Sequence, residues 1–257
     1  MFYFSSMNNK IKPLTLFQSI WYFLISFLLI YIGLYVCIPI LLSKGIPFLT
    51  GYFIFFYFPF VLLFITALIL YKREGNAWKM SDFKSRMQLN PLKKIDWLWI
   101  IGIILAFAAA SALLEPVINK VAQIPFFSPP DFFPAEINPN KTSIPGYMWD
   151  YKLSGEYWVI IVYFVGWFFN IFGEEFLWRG IILPRQVMKY GSKAWIYHGI
   201  MWGLWHFYWK WNFFTLLPLT LLLSYAVYKR KNTWIGIIAH GVLNLIPLVM
   251  MIIKVFE

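Results

Sequence analysis

Seven stretches of this chain are apolar and long enough to cross a lipid bilayer, a distance that takes about 20 helical residues. They run at about 14–43, 47–71, 97–114, 157–183, 194–208, 213–228 and 233–253. Hydrocarbon offers no hydrogen bonds, so a spanning backbone must satisfy its own N–H and C=O groups, and runs of this kind predict helices. Composition agrees: 61% of residues are hydrophobic and 13% charged, against roughly 45–50% and 25% in soluble domains. The expected fold is all-α, a polytopic transmembrane bundle of seven spans, or eight if one run is split or re-entrant. The run at 194–208 is the shortest and holds His198 and His206.

The whole chain, 1–257, reads as one integral membrane domain. Three spans occupy 14–114, a proline-rich segment fills 115–156, and four spans occupy 157–253. Basic residues orient such a bundle, because loops on the cytoplasmic side carry the excess. With the N-terminus inside, fifteen of the 22 Lys and Arg residues fall in inner segments, among them Lys10, Lys12, Lys72, Arg73, Lys229, Arg230 and Lys231. Six fall outside and Arg179 lies within a span. The predicted topology is N-in. The same distribution accounts for the net charge of +11 without a nucleic-acid partner. The first apolar run is too long for a signal-peptide core and lacks a small-residue cleavage site, so it is expected to be retained. A single cysteine, Cys37, excludes an intramolecular disulfide and a Cys-rich zinc site, and reads as a small buried hydrophobe. The segment from 115 to 156 has six prolines after Pro116, from Pro125 to Pro145, with Phe126, Phe127, Phe132 and Phe133 between them. Proline removes the amide donor a helix needs. An irregular external connector is expected there.

Between 157 and 184 only Glu174, Glu175 and Arg179 are charged. A charge at the bilayer centre costs at least about 2.5–3.5 kcal/mol and marks a polar interior, an ion pair or chemistry. The chain has three histidines, His198, His206 and His240, all within apolar runs. At 1.5 Å of rise per residue, Glu174, His206 and His240 lie roughly 15, 18 and 12 Å from the inner ends of their spans. Three separate spans thus bring ionisable groups to similar depth. His240 and Asn244 share a helix face, as do Trp202 and His206, and Glu175 and Arg179 have the spacing of an intrahelical ion pair. Glu174 is about 100° round the helix from Glu175, so one carboxylate can face a cavity while the other pairs with Arg179. Asn170, one turn earlier, can hydrogen-bond the cavity carboxylate.

This constellation suits hydrolysis by an activated water. A carboxylate in a low-dielectric cavity is a stronger base, a histidine helps it deprotonate water, and His240 and the Asn244 amide are placed to stabilise an oxyanion. There is no G-x-S-x-G elbow. A zinc ion held by Glu174, His206 and His240 with an open water position is the alternative, although H-E-x-x-H is absent. The residues alone leave both open.

At these positions the chain resembles the CPBP family of intramembrane proteases, also called the Abi or CAAX-protease family. Glu174, Glu175 and Arg179 match E-E-x-x-x-R. Trp202 to His206 resembles F-x-x-x-H with Trp in the Phe position, and His240 with Asn244 matches H-x-x-x-N. The resemblance covers about 159–248. It implies that Glu174 and His206 activate water, that His240 and Asn244 form the oxyanion site, and that Glu175 and Arg179 support the first helix; it favours a metal-free mechanism, with zinc on Glu174, His206 and His240 the alternative. The expected activity is endoproteolysis near the cytoplasmic leaflet of a bacterial plasma membrane. The substrate is a membrane-associated protein or peptide: a CAAX-type protein, a pheromone or a bacteriocin precursor. The competing readings are a non-catalytic scaffold or bacteriocin-immunity protein and a proton-coupled transporter.

Overall fold

The computed structural model describes residues 11–257, which leaves Lys10 outside the described residues. The first helix, α1 (Leu16–Ile32), starts where Thr15 and Gln18 cap each other reciprocally, which satisfies two otherwise unpaired backbone donors. A π-turn over Gly33–Cys37 leads into α2 (Ile38–Leu42). Gly33 sits there because a Cβ would lie 2.8 Å from that of Phe55 in the next helix. Cys37, the last residue of the π-turn, is half-buried rather than enclosed. Helices α3 (Phe48–Phe55) and α4 (Phe58–Arg73) are one span broken at Phe56–Tyr57, before Pro59. Short α5 (Met80–Arg86) follows, then α6 (Lys94–Val121).

Helix α6 continues seven residues beyond 114, through Pro116, so the irregular segment begins at 122 rather than 115. One interior proline forfeits a single hydrogen bond, and the apolar turns on either side hold the helix. From 122 to 157 the chain makes turns and one short hairpin, β1 (Tyr147–Met148) with β2 (Tyr151–Lys152), in which Tyr147 pairs with Lys152. This segment is not a loose connector. Phe133 is fully buried against Tyr35, Phe48, Trp209 and Trp211, and Trp149 packs on Tyr52 and Tyr163. Phe126, by contrast, is 64% exposed. The prolines deny the segment a helix, and its aromatic rings dock it on the bundle.

The next apolar run, Trp158–Arg230, is 73 residues long and folds back twice. Its first leg is continuously helical: α7 (Trp158–Glu174), a π-helical stretch over Glu175–Ile182, and α8 (Leu183–Tyr190). The chain reverses at Gly191, whose φ of +56° favours glycine. It continues as α9 (Ala194–Trp205), a 3₁₀ stretch over His206–Asn212, and α10 (Phe213–Arg230). The last span is α11 (Trp234–Leu243) and α12 (Ile246–Phe256), broken at Asn244–Leu245 before Pro247. Five helical runs among the described residues are long and apolar enough to span a membrane, the 73-residue run counted once.

Small residues let these helices touch, as is usual where lipid rather than water surrounds the bundle. A Cβ on Gly173 would lie 2.5 Å from the Phe60 carbonyl, and one on Gly199 would lie 2.9 Å from Leu221. Outward-facing side chains such as Ile25, Leu105 and Val249 are more than half exposed, a surface suited to hydrocarbon. The two ends of the bundle differ. One carries the proline-rich segment and the end of α12, joined where Gly155 donates to the Val255 carbonyl. The other gathers basic and polar groups, with Arg230 paired to Asp96 at 2.7 Å and the Arg86–Glu74 pair beside α8.

Candidate active site

Four elements meet at one indole. Trp202, on α9, is 1% exposed and donates from Nε1 to Glu174 Oε2 at 2.7 Å. The Arg179 guanidinium lies over its ring, 3.5 Å from the centroid. The rings of His206 and His240 stand edge-on to it at 5.2 and 5.5 Å. The structure thus brings together Glu174, Glu175, Arg179, Trp202, His206 and His240. It leaves His198 one turn back along α9 from Trp202, bonded to Gln186 instead.

The two adjacent carboxylates take different surroundings. Glu174 closes α7 and receives Asn170 Nδ2 at 3.3 Å as well as Trp202. Glu175 opens the π-helical stretch and contacts Arg179 at 3.1 Å. That contact is an ion pair without aligned hydrogen bonds, because none of the guanidinium nitrogens finds an acceptor in good geometry. Glu175 Oε1 also meets His240 Nδ1 at 3.1 Å, across the interface with α11. Gly236 makes this approach possible, since any Cβ there would collide with Glu175 Oε2. Wider π-helical turns reposition side chains relative to an α-helix. The inserted stretch is pinned by Arg86, which donates to the Gly180 carbonyl.

Protonation follows from these partners. His206 Nδ1 faces the Trp202 carbonyl at 2.8 Å. A carbonyl only accepts, so the proton sits on Nδ1 and Nε2 keeps its lone pair. His240 spends its Nδ1–H on Glu175, so the neutral ring has no second N–H to offer. Its Nε2 donates only in the imidazolium form. Asn244 caps α11 and donates one amide hydrogen to the His240 carbonyl at 3.1 Å, leaving a second N–H.

Among the described residues no three His, Cys, Asp or Glu side chains converge as ligands.

Sequence reasoning missed several supports. Tyr163 donates to the Asn244 carbonyl at 2.9 Å and Trp167 to the Gly241 carbonyl at 3.0 Å. With Asn170 and Glu174 they form a stripe at helical spacing on α7, a signal present in the sequence. Gly236, one turn before His240, was legible in the same way. On the side of the proline-rich segment lies a cavity of about 270 Å³, with Asn170 and Asn244 in its lining. It adjoins the reactive cluster through these two amides. A separate 420 Å³ cavity at the basic end is lined by Arg86, Asp96 and Arg230.

A family model described as Rce1-like, type II CAAX prenyl endopeptidase, matches residues 156–246. Neither a curated protein nor a solved structure matches the chain. The matched segment holds Asn170, Glu174, Glu175, Arg179, Trp202, His206, His240 and Asn244, and it is the segment that carries the CPBP motifs. This core of the chain is Rce1-like, and the molecule is a multi-pass membrane protein built of apolar helices.

Proposed function

We propose, from an Rce1-like core set in a helical membrane bundle, that this protein is an intramembrane endopeptidase that cuts a membrane-associated protein or peptide with a glutamate-activated water. The supporting observation is the gathering of Glu174, His206 and His240 around Trp202, with Asn244 one turn beyond.

A water between Glu174 and His206 Nε2 meets two acceptors. As its oxygen bonds to the scissile carbonyl carbon, its proton passes to Glu174. The carbonyl oxygen becomes an oxyanion, met by the second Asn244 N–H and, in the imidazolium form, by His240 Nε2–H, with the Glu175 carboxylate opposite that charge. The intermediate collapses, the C–N bond breaks, and Glu174 returns its proton to the leaving amine. Trp202 and Asn170 fix the carboxylate, and Arg179 offsets the charge of Glu175. No step calls for a metal.

The Lys and Arg distribution supports an N-in arrangement of seven spans, with the 73-residue run contributing three. A bacterial plasma membrane suits such a chain. Its substrate class is a CAAX-type protein, a peptide pheromone or a bacteriocin precursor. The deciding experiment compares membrane and secreted peptides from cells making the wild-type protein with those from cells making Glu174→Gln. Specific fragments are expected only with the wild type, and turnover of any such substrate should fall by orders of magnitude in the variant at equal expression. Identical peptide profiles would favour a non-catalytic scaffold or immunity protein.

A further inference from the structure

The 270 Å³ cavity beside the reactive cluster is chemically unusual for a protein surrounded by lipid. Trp149, Trp167 and Trp209 contribute indoles to it, and Tyr52, Tyr57 and Tyr163 contribute phenols. Asn170 and Asn244 connect it to the reactive groups. Glu136, from the proline-rich segment, is the single charged side chain in the lining. Its Oε2 accepts the Trp149 backbone N–H at 3.0 Å, which fixes it at the wall, and a carboxylate retains further acceptor sites. Glu136 also lines a 220 Å³ hollow together with Lys141 and Asp150. Lys141 and Asp150 do not line the 270 Å³ cavity, so Glu136 is the charge that cavity meets.

We propose that this cavity is a substrate subsite that takes a cationic side chain, lysine or arginine, next to the bond being cut. This rests on the endopeptidase reading for its role in turnover, but not for its binding. Aromatic faces attract cations through the ring quadrupole, most strongly when water is displaced. A half-buried carboxylate completes the match. An isoprenoid or aliphatic side chain in the same space would strip water from Glu136 and return no countercharge, which is costly. The subsite thus separates this chain's substrates from peptides whose residue at that position is apolar. It also gives the proline-rich segment a task, because that segment supplies both Glu136 and Trp149.

The test measures binding and turnover separately. Full-length Glu174→Gln protein in nanodiscs is titrated with fluorescent octapeptides that differ only in carrying lysine or norleucine, with the substitution moved through each position. At one position the lysine peptide is expected to bind about tenfold more tightly. Adding Glu136→Gln, which keeps an acceptor for the Trp149 N–H, should bring the two peptides to parity on that variant. Adding Glu136→Lys should turn the preference toward a glutamate peptide. Equal binding of lysine and norleucine peptides at every position, or a preference that survives Glu136→Gln, would overturn the subsite. Lysine-selective binding without cleavage by the wild-type protein would uphold the subsite and sink the protease reading. Cleavage without selectivity would do the reverse.

Discussion

Two buried polar clusters share helix α9, and they differ in kind. Around His198, Nδ1 meets Gln186 Oε1 at 2.8 Å, Gln186 Nε2 donates to Ser19 Oγ at 2.9 Å, and Ser19 Oγ donates in turn to the Thr15 carbonyl. These groups are neutral, lie against Phe23, and staple α1 to α8 and α9. One and two turns further along the chain, Trp202 and His206 stand among two carboxylates, a guanidinium and a second histidine. There the polar groups are charged, two side chains reach a cavity, and His206 Nε2 is left open. A buried histidine in a membrane helix therefore identifies nothing by itself. Uncompensated charge beside an accessible space is what separates chemistry from stapling.

The contrast is broken most sharply at Glu174. Glu174→Gln should remove turnover while the thermal midpoint hardly moves, since the amide oxygen still accepts from Trp202. A comparable substitution in the His198 cluster should do the opposite. Next in size is Asn244→Ala. If its second N–H meets the oxyanion, the chemical rate should fall by about 10²–10³ with little change in substrate binding, read in single-turnover assays. Chelators should leave the wild-type rate unchanged. Zinc at one per chain, lost with activity on chelation and restored with it, would replace the metal-free mechanism while keeping the protease.

Trp202→Phe sharpens the comparison in a smaller way. The phenyl ring keeps a face for Arg179 but cannot donate to Glu174. Hydrogen bonds to charged groups contribute about 1.5–3 kcal/mol, so the rate should drop roughly 10- to 100-fold. In this chain the tryptophan in the aromatic position of F-x-x-x-H is more than a conservative change. An unchanged rate with Trp202→Phe would mean that Asn170 alone suffices to hold the carboxylate.

Local spacing made much of this legible. The apolar runs predict the helices, and the i, i+4 relations of Glu175 with Arg179 and of Asn170 with Glu174 hold in three dimensions. What crosses between helices was not legible. No periodicity says that Glu175 reaches His240 past Gly236, because that contact depends on the π-helical stretch and on how closely α7 and α11 approach. For the same reason the tautomer of His240 and its donor capacity could not be read from residue types. The proline-rich segment failed differently: prolines report where helix ends, and say nothing of which rings the intervening Phe133 and Trp149 will pack against.

The smallest effect on turnover belongs to the other cluster. His198→Leu should leave the rate within about twofold, because no group of the Trp202 cluster bonds to His198. Its effect falls on stability. The variant strands Gln186 Oε1 in a buried site, and an unsatisfied buried acceptor costs about 1–3 kcal/mol. Within membranes side-chain hydrogen bonds average nearer 0.6 kcal/mol, since the unfolded helices find other partners. The expected loss is therefore about 1 kcal/mol, read as reduced resistance to denaturing detergent. Adding Gln186→Leu should recover part of it. Both ends of the bond are then apolar, and Ser19 still has the Thr15 carbonyl. A double variant weaker than either single one would show that the bond stabilises the α1 contact through geometry that leucine cannot supply. A large drop in turnover with His198→Leu, at intact stability, would erase the distinction between the two clusters.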